Sequence, residues 1–200
     1  MQHELIRKIE EHIPGIGGTD KAILSAVCIP LIKNESGEYE VLFEVRSASL
    51  IDQPKDICFP GGMSEKDEYP EDTALRELTE ELLISPLQVR IIGEGDVRIF
   101  GNLVVYPYIV ELKDYNFTFN EESDEVFSVP LKFITETEPE KYLVERKTVP
   151  APDFPYERIQ GGKDYKWRDQ KSYTYFYQWK DKTIWGITAQ LVKDLADIIR

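Results

Sequence analysis

Along the chain, apolar positions recur at helical or strand spacing, and each run predicts an element. Leu5, Ile9 and Ile13 stand four residues apart, the repeat of an amphipathic helix over 4–13; Pro14-Gly15 and Gly17-Gly18 end it and make 1–18 a helix with its linker. Residues 21–32 are apolar and rich in β-branched side chains (Ile23, Val27, Ile29), the pattern of a buried strand. Turn chemistry at Asn34-Glu35-Ser36-Gly37 leads into a second strand over 39–45, so the two form a hairpin. Residues 70–83 are the clearest helix, with Leu75, Leu78 and Leu82 along one face. Strands follow at 88–92 and 103–112 around a loop over 93–102, then an acidic loop at 120–124 and a helical turn at 129–134. Residues 138–172 hold four prolines between Pro139 and Pro155 and read as an irregular insertion. A hairpin over 173–185 turns at Asp181-Lys182. The last helix, 186–200, is capped by Thr188 and stacks Leu191, Leu195 and Ile199. Strands mixed with helices at mid-chain and at both ends predict one α/β domain over 1–200, a sheet covered by helices.

Composition narrows the function. With 42% hydrophobic and 30% charged residues, the 200-residue chain falls in the ordinary globular range. No apolar run approaches the roughly 20 residues a membrane helix needs. The first residues carry acids where a secretory signal would be basic, so a cytoplasmic protein is expected. Cys28 and Cys58 lie in apolar stretches and read as buried thiols. The net charge of −13 speaks against nucleic-acid binding, which rests on basic residues facing phosphates. A small phosphorylated ligand stays possible if divalent cations stand between it and an acidic site.

One helix supplies such a site. At 100° per residue, Glu77, Glu80 and Glu81 fall on one face, while Leu75, Leu78 and Leu82 anchor another. Like charges at this spacing destabilise an isolated helix by a few tenths of a kcal/mol per pair, roughly. No lysine is interspersed, so the triplet is either a solvated acidic face or a site compensated by a hard cation such as Mg²⁺.

The surroundings favour the second reading. Gly62, Glu68 and then Arg76-Glu77-Leu78-x-Glu80-Glu81-x-x-Ile84 resemble the Nudix box, a glycine-led loop followed by a helix bearing R-E-aliphatic-x-E-E. A chance match is on the order of one in a hundred thousand for a chain of this length. Leu83 stands where the box has a closing glycine, which normally lets the chain leave the helix in a left-handed turn. The resemblance implies an α/β/α sandwich with a mixed sheet and a Mg²⁺- or Mn²⁺-dependent diphosphate hydrolase. It implies Glu77 and Glu81 as principal metal ligands, Glu80 as a further ligand or water-activating carboxylate, Arg76 as the residue orienting them through Glu68 or Glu77, and Gly61 as a backbone ligand. Arg46-Ser47, Phe59-Pro60-Gly61-Gly62, Glu125-Val126 with Val129-Pro130-Leu131, and Trp185-Gly186-Ile187-Thr188-Ala189 resemble the family's coenzyme A diphosphatase branch. That branch's spaced Arg and Gly are replaced by Ile51 and Lys55. The resemblance points to Arg46, Ser47 and Lys55 for substrate binding, and to Glu125 in the acidic loop, with Glu122 as the alternative, for water activation.

Coenzyme A is thus the expected substrate, giving 3′,5′-ADP and 4′-phosphopantetheine, in a monomer or homodimer. Another nucleoside diphosphate derivative, or a non-catalytic nucleotide-binding regulator, remains open. Lys163, Lys166, Arg168 and Lys171, interleaved with Tyr165 and Trp167, could hold an adenine and a phosphate or form a surface loop. His3 and His12 have no metal-ligand neighbour in sequence and read as surface residues.

Overall fold

The computed structural model of the chain describes residues 21–200 together with Arg7 and Glu11. Those two apart, the helix expected over 4–13, with His3 and His12, lies outside the described residues.

Strand β1 (Ile23–Lys33) is the centre of a mixed eight-stranded sheet. It pairs antiparallel with β2 (Tyr39–Arg46) in the expected hairpin, antiparallel with the short β4 (Gly61–Met63), and parallel with β7 (Leu103–Leu112). Strand β3 (Ile57–Cys58) and β8 (Ser123–Pro130) flank β2, while β5 (Val89–Glu94) and β6 (Arg98–Phe100) flank β7. Alternation sends Ala26, Cys28, Leu42, Tyr108 and Val110 to one face, where Ala74, Leu78 and Leu82 of helix α1 (Pro70–Glu81) cover them. Ile29, Phe43, Val45 and Ile109 face the other way, against α2 (Leu131–Glu136) and α3 (Gly186–Ile199). With both faces buried, the strands read as continuous apolar runs. The result is the mixed-sheet α/β/α sandwich that the sequence implied. Among the described residues, no helix is long and apolar enough to cross a membrane.

Helix α1 begins with Pro70 in its first turn, and Glu71 and Asp72 sit where the helix dipole favours acids. Leu82 caps its far end. Leu83 turns left-handed at φ 54°, and the Ile84 N–H donates to the Thr79 carbonyl at 3.2 Å, closing the turn a glycine usually makes. A side chain in that conformation costs about 1 kcal/mol, so Leu83 ends the helix under strain and does not extend it.

Four local readings change. The expected loop over 93–102 contains β6, paired with β7. The acidic loop passes into β8 at Ser123, which places Glu125 on a strand. Within 138–172, β9 (Glu140–Arg146) pairs with β10 (Gln170–Trp179), and the hairpin carries a loop with two short 3-10 turns at its tip. Every residue of β9 is exposed, so no burial pattern marks it in the sequence; its pairing with β10 makes it a strand. With β11 (Lys182–Trp185) these strands form a second, three-stranded sheet, whose Tyr177 and Ile184 enter the core beneath α3. Finally, Thr188, in the first turn of α3, is no cap. Its Oγ1 donates to the Ile57 carbonyl at 2.9 Å, fastening α3 to β3.

Candidate active site

Arg76 organises the middle of α1. Its Nε and Nη2 reach both oxygens of Glu68 at 2.9 and 3.1 Å, and Nη1 donates to Glu77 at 2.8 Å. The Arg76 guanidinium holds the Glu68 carboxyl down at about 2, and Glu68 in turn raises Arg76. Glu77 is thereby pressed over Gly62, where a β-carbon would collide with its carboxylate. One turn on, Glu81 is buried and accepts the Gly61 N–H at 2.9 Å. Gly61 itself has φ 153°, and a side chain there would strike the Ala26 backbone.

A carboxylate that sequence reasoning missed faces this pair. Glu44 stands in the apolar run of β2 with Leu42, on the α1 side, and is 2% exposed. Its Oε1 has no hydrogen-bond partner. Burial pushes the Glu44 carboxyl up to about 7, opposed by Arg46 and reinforced by Glu122. Burial also pushes Glu81 up to about 9, with Glu44 adding, the Gly61 N–H opposing, and Glu77 and Glu122 adding further. The signal in the sequence was a lone acid inside Val41-Leu42-Phe43-Glu44-Val45.

Glu122 arrives on the loop that covers the end of α1. Thr118 Oγ1 donates to the Leu82 carbonyl at 2.8 Å, and Asn120 donates to those of Glu81 and Glu80 at 2.8 and 3.2 Å. Asn120 Oδ1 then accepts the Glu122 N–H at 2.9 Å. Helix carbonyls that would lack partners are satisfied, and the acid is brought to the cluster. Glu125 is not. It aligns with Val45 on the opposite face of the sheet and pairs with Lys182 at 2.5 Å. Glu80 lies outward, its side chain 60% exposed, with Arg76 at 3.4 Å.

Beside Gly61 opens a cavity of about 310 Å³ bounded by Arg46, Cys58, Phe59, Trp185, Gly186 and Thr188. Of the expected substrate-binding residues, Arg46 lines it and donates to the Asp52 carbonyl. Ser47 is buried, and its N–H donates to the Glu122 carbonyl at 2.7 Å. Lys55 is paired with Asp124, and Ile51 is almost fully exposed. The basic residues over 163–171 do not border the cavity; Lys171 pairs with Glu145, and Trp167 packs edge-on against Tyr165 and Phe154. Cys28 and Cys58 are both unpaired, and burial pushes their thiols up to about 12.

Buried carboxylates crowded together, one oxygen orphaned, match the donor set of a hard divalent cation. Among the described residues, no three acids stand in ready coordination geometry, since Glu77 and Glu81 are held by Arg76 and Gly61. Helix α1 thus brings Glu77 and Glu81 up to the buried sheet acid Glu44 on one face of the α/β/α sandwich. Residues 23–154 match the NUDIX domain, and the chain belongs to that family.

The chain is similar to the peroxisomal coenzyme A diphosphatase of Mus musculus, 33% identical over 133 residues, which are 64% of this chain and 55% of the mouse protein. The chain therefore spans about half the length of that relative. It is also similar to the Nudix hydrolase NudL of Photorhabdus laumondii, described as uncharacterized, at 29% identity over 88% of this chain and 84% of that one. In fold it resembles a MutT/nudix family protein from Enterococcus faecalis, with a TM-score of 0.52 and 16% identity, over 100% of this chain and 69% of that one.

Proposed function

We propose that this chain hydrolyses a diphosphate bond with Mg²⁺ or Mn²⁺, and that its substrate is coenzyme A or a derivative, split into 3′,5′-ADP and 4′-phosphopantetheine. The observation that carries the reading is the buried Glu44–Glu81 pair beside Glu77 and Glu122. Glu44, Glu77 and Glu81 would hold the metal, with the Gly61 backbone beside them and Glu80 at the exposed rim. The metal's chemistry is to neutralise charge on the non-bridging phosphate oxygens. Arg76 fixes the Glu77 carboxylate, and Glu122 would take a proton from the attacking water. Glu125, on the far face, is left to its ion pair with Lys182. In the cavity, Trp185 and Phe59 offer apolar surface and Arg46 a cation for phosphate. Ser47 acts by holding the Glu122 loop, while Lys55 would have to release Asp124 to reach a ligand.

Similarity to the mouse enzyme and the Phe59–Gly62 and Trp185–Ala189 segments support coenzyme A. Ile51 and Lys55 favour a second reading, another nucleoside diphosphate derivative such as ADP-ribose or a nucleotide sugar. The complete glutamate set speaks against a binding-only regulator. The test is a product assay over coenzyme A, dephospho-coenzyme A, ADP-ribose, nucleotide sugars and nucleoside triphosphates with Mg²⁺ or Mn²⁺. The expected result is fastest release of 3′,5′-ADP from coenzyme A, lost in Glu81→Gln. Faster cleavage of a nucleotide sugar or ADP-ribose would remove coenzyme A; no metal-dependent cleavage of any of them would remove the hydrolase.

A further inference from the structure

Among the described residues, strand β9 is an edge with nothing beside it. The second sheet runs β11-β10-β9, so one side of β9 pairs with β10 and the other presents open backbone groups along Glu140–Arg146, among the described residues. Such an edge is a template for another strand. Its middle is apolar: Tyr142, Leu143 and Val144 are 56%, 51% and 38% exposed, and Tyr173 of β10, opposite Leu143, is 53% exposed.

The order of its charges says what fits there. The strand reads Glu140-Lys141-Tyr142-Leu143-Val144-Glu145-Arg146. When two copies lie antiparallel about a two-fold axis through Leu143, Glu140 faces the second copy's Arg146 and Lys141 faces its Glu145. Tyr142 faces Val144, and Leu143 meets itself. Symmetry doubles each ion pair, so four opposite-charge contacts flank an apolar centre and no like charges meet. Neighbouring registers fail. An axis through Val144 opposes Lys141 to Lys147, one between Leu143 and Val144 opposes Lys141 to Arg146, and one between Tyr142 and Leu143 opposes Glu140 to Glu145. An axis through Tyr142 sets only Arg146 against an opposite charge, Glu138 beyond the strand and already paired with Arg200, and leaves Glu140, Lys141 and Glu145 without one. Within one chain Glu145 already pairs with Lys171 at 2.7 Å, so the register would set it between two lysines.

We infer that β9 is a self-complementary dimerisation edge, which joins the three-stranded sheets of two copies into one six-stranded sheet with Leu143 on the two-fold axis. Each copy's glutamate helix, on the other sheet, takes no part in the contact. Edge pairing over seven residues buries less than the roughly 1,600 Å² of a standard interface, so the dimer is of micromolar strength. Exposed ion pairs weaken with salt, and the dimer weakens with them.

Sedimentation equilibrium of the full chain from about 1 to about 100 µM tests this, that range bracketing micromolar affinity. The wild type should approach twice the 23.2 kDa monomer mass. Glu140→Arg and Arg146→Glu each put like charges opposite one another twice, and each should weaken association about tenfold or more. The double variant restores both pairs and should restore the dimer. These positions face Phe176 and Gln170 within the chain, so the exchange brings no like charge against β10. Under a mild thiol oxidant, Leu143→Cys should cross-link two chains faster than Val144→Cys, because only position 143 meets itself. A wild type that stays monomeric overturns the proposal. So does a dimer indifferent to the single charge changes, or equal cross-linking at 143 and 144.

Discussion

If Glu44 and Glu81 are protonated because they are buried together, a divalent cation has to displace their protons, and the number displaced can be counted. With Glu81 raised to about 9 and Glu44 to about 7, the pair holds roughly one to two protons at pH 7. Loading the site should release about that many, and apparent affinity should climb with pH through this range. The sign for stability follows. Both carboxyls bind protons more tightly folded than unfolded, so their contribution is complete below the ordinary carboxylate pKa near 4.5 and is lost as pH rises through about 7 and about 9. The metal-free protein should therefore lose melting temperature from pH 5 to pH 9, and saturating Mg²⁺ should restore it increasingly along that range. In Glu44→Gln the carboxamide cannot titrate, so release should fall to about one proton and the metal-free pH slope should flatten. Titration calorimetry in buffers of different ionisation enthalpy gives the proton count directly. A release near zero at pH 7, or Mg²⁺ affinity independent of pH, would refute the argument that these buried acids are the ligands.

Three further outcomes test other parts of the structure. Glu122→Gln should lower kcat at least about tenfold with little change in KM, while Glu125→Gln should be nearly silent; the reverse pattern in steady-state kinetics would return the base to β8. Gly62→Ala should push the Glu77 carboxylate off its seat, so Mg²⁺ affinity by calorimetry should drop about tenfold or more while circular dichroism stays native. Leu78→Ala, at a fully buried position beneath α1, should cost about 2–5 kcal/mol in urea unfolding; a cost under about 1 kcal/mol would mean that α1 is not anchored there.

The sequence made legible what depends on short-range spacing. Leu75, Leu78 and Leu82 mark the buried face of α1 because helical periodicity is local, and the same periodicity sets Glu77, Glu80 and Glu81 on another. Once the chain is folded, however, Glu81 is buried and Glu80 is exposed, because the neighbouring glycines and the 118–122 loop decide which turn is covered. Strand pairing was less legible, being a long-range property. Glu122 and Glu125 sit in one acidic run, and only the register of β8 against β2 sends Glu125 to the far face. Glu44 looked like one strand residue among several, and its weight comes from Glu81, 37 residues further on. β9 hid for the opposite reason, having no buried side to betray it.

Several local rules of folding are broken around the Glu44–Glu81 pair. Two acids are buried side by side, and an acceptor oxygen of Glu44 lacks a donor. Gly61 and Gly62 press against backbone and carboxylate with no room for a side chain, and a leucine is held left-handed two residues past Glu81. Burying the acids and turning Leu83 left-handed each cost stability by themselves, offset in part where the Gly61 N–H donates to Glu81. On the proposed function, a divalent cation would supply the missing charge for Glu44 and Glu81 and give the orphaned oxygen a partner. The glycines admit the carboxylates to that position. Metal binding at this pair would then offset the cost of burying its two carboxyls, so on the proposed function it would also contribute to the stability of the fold.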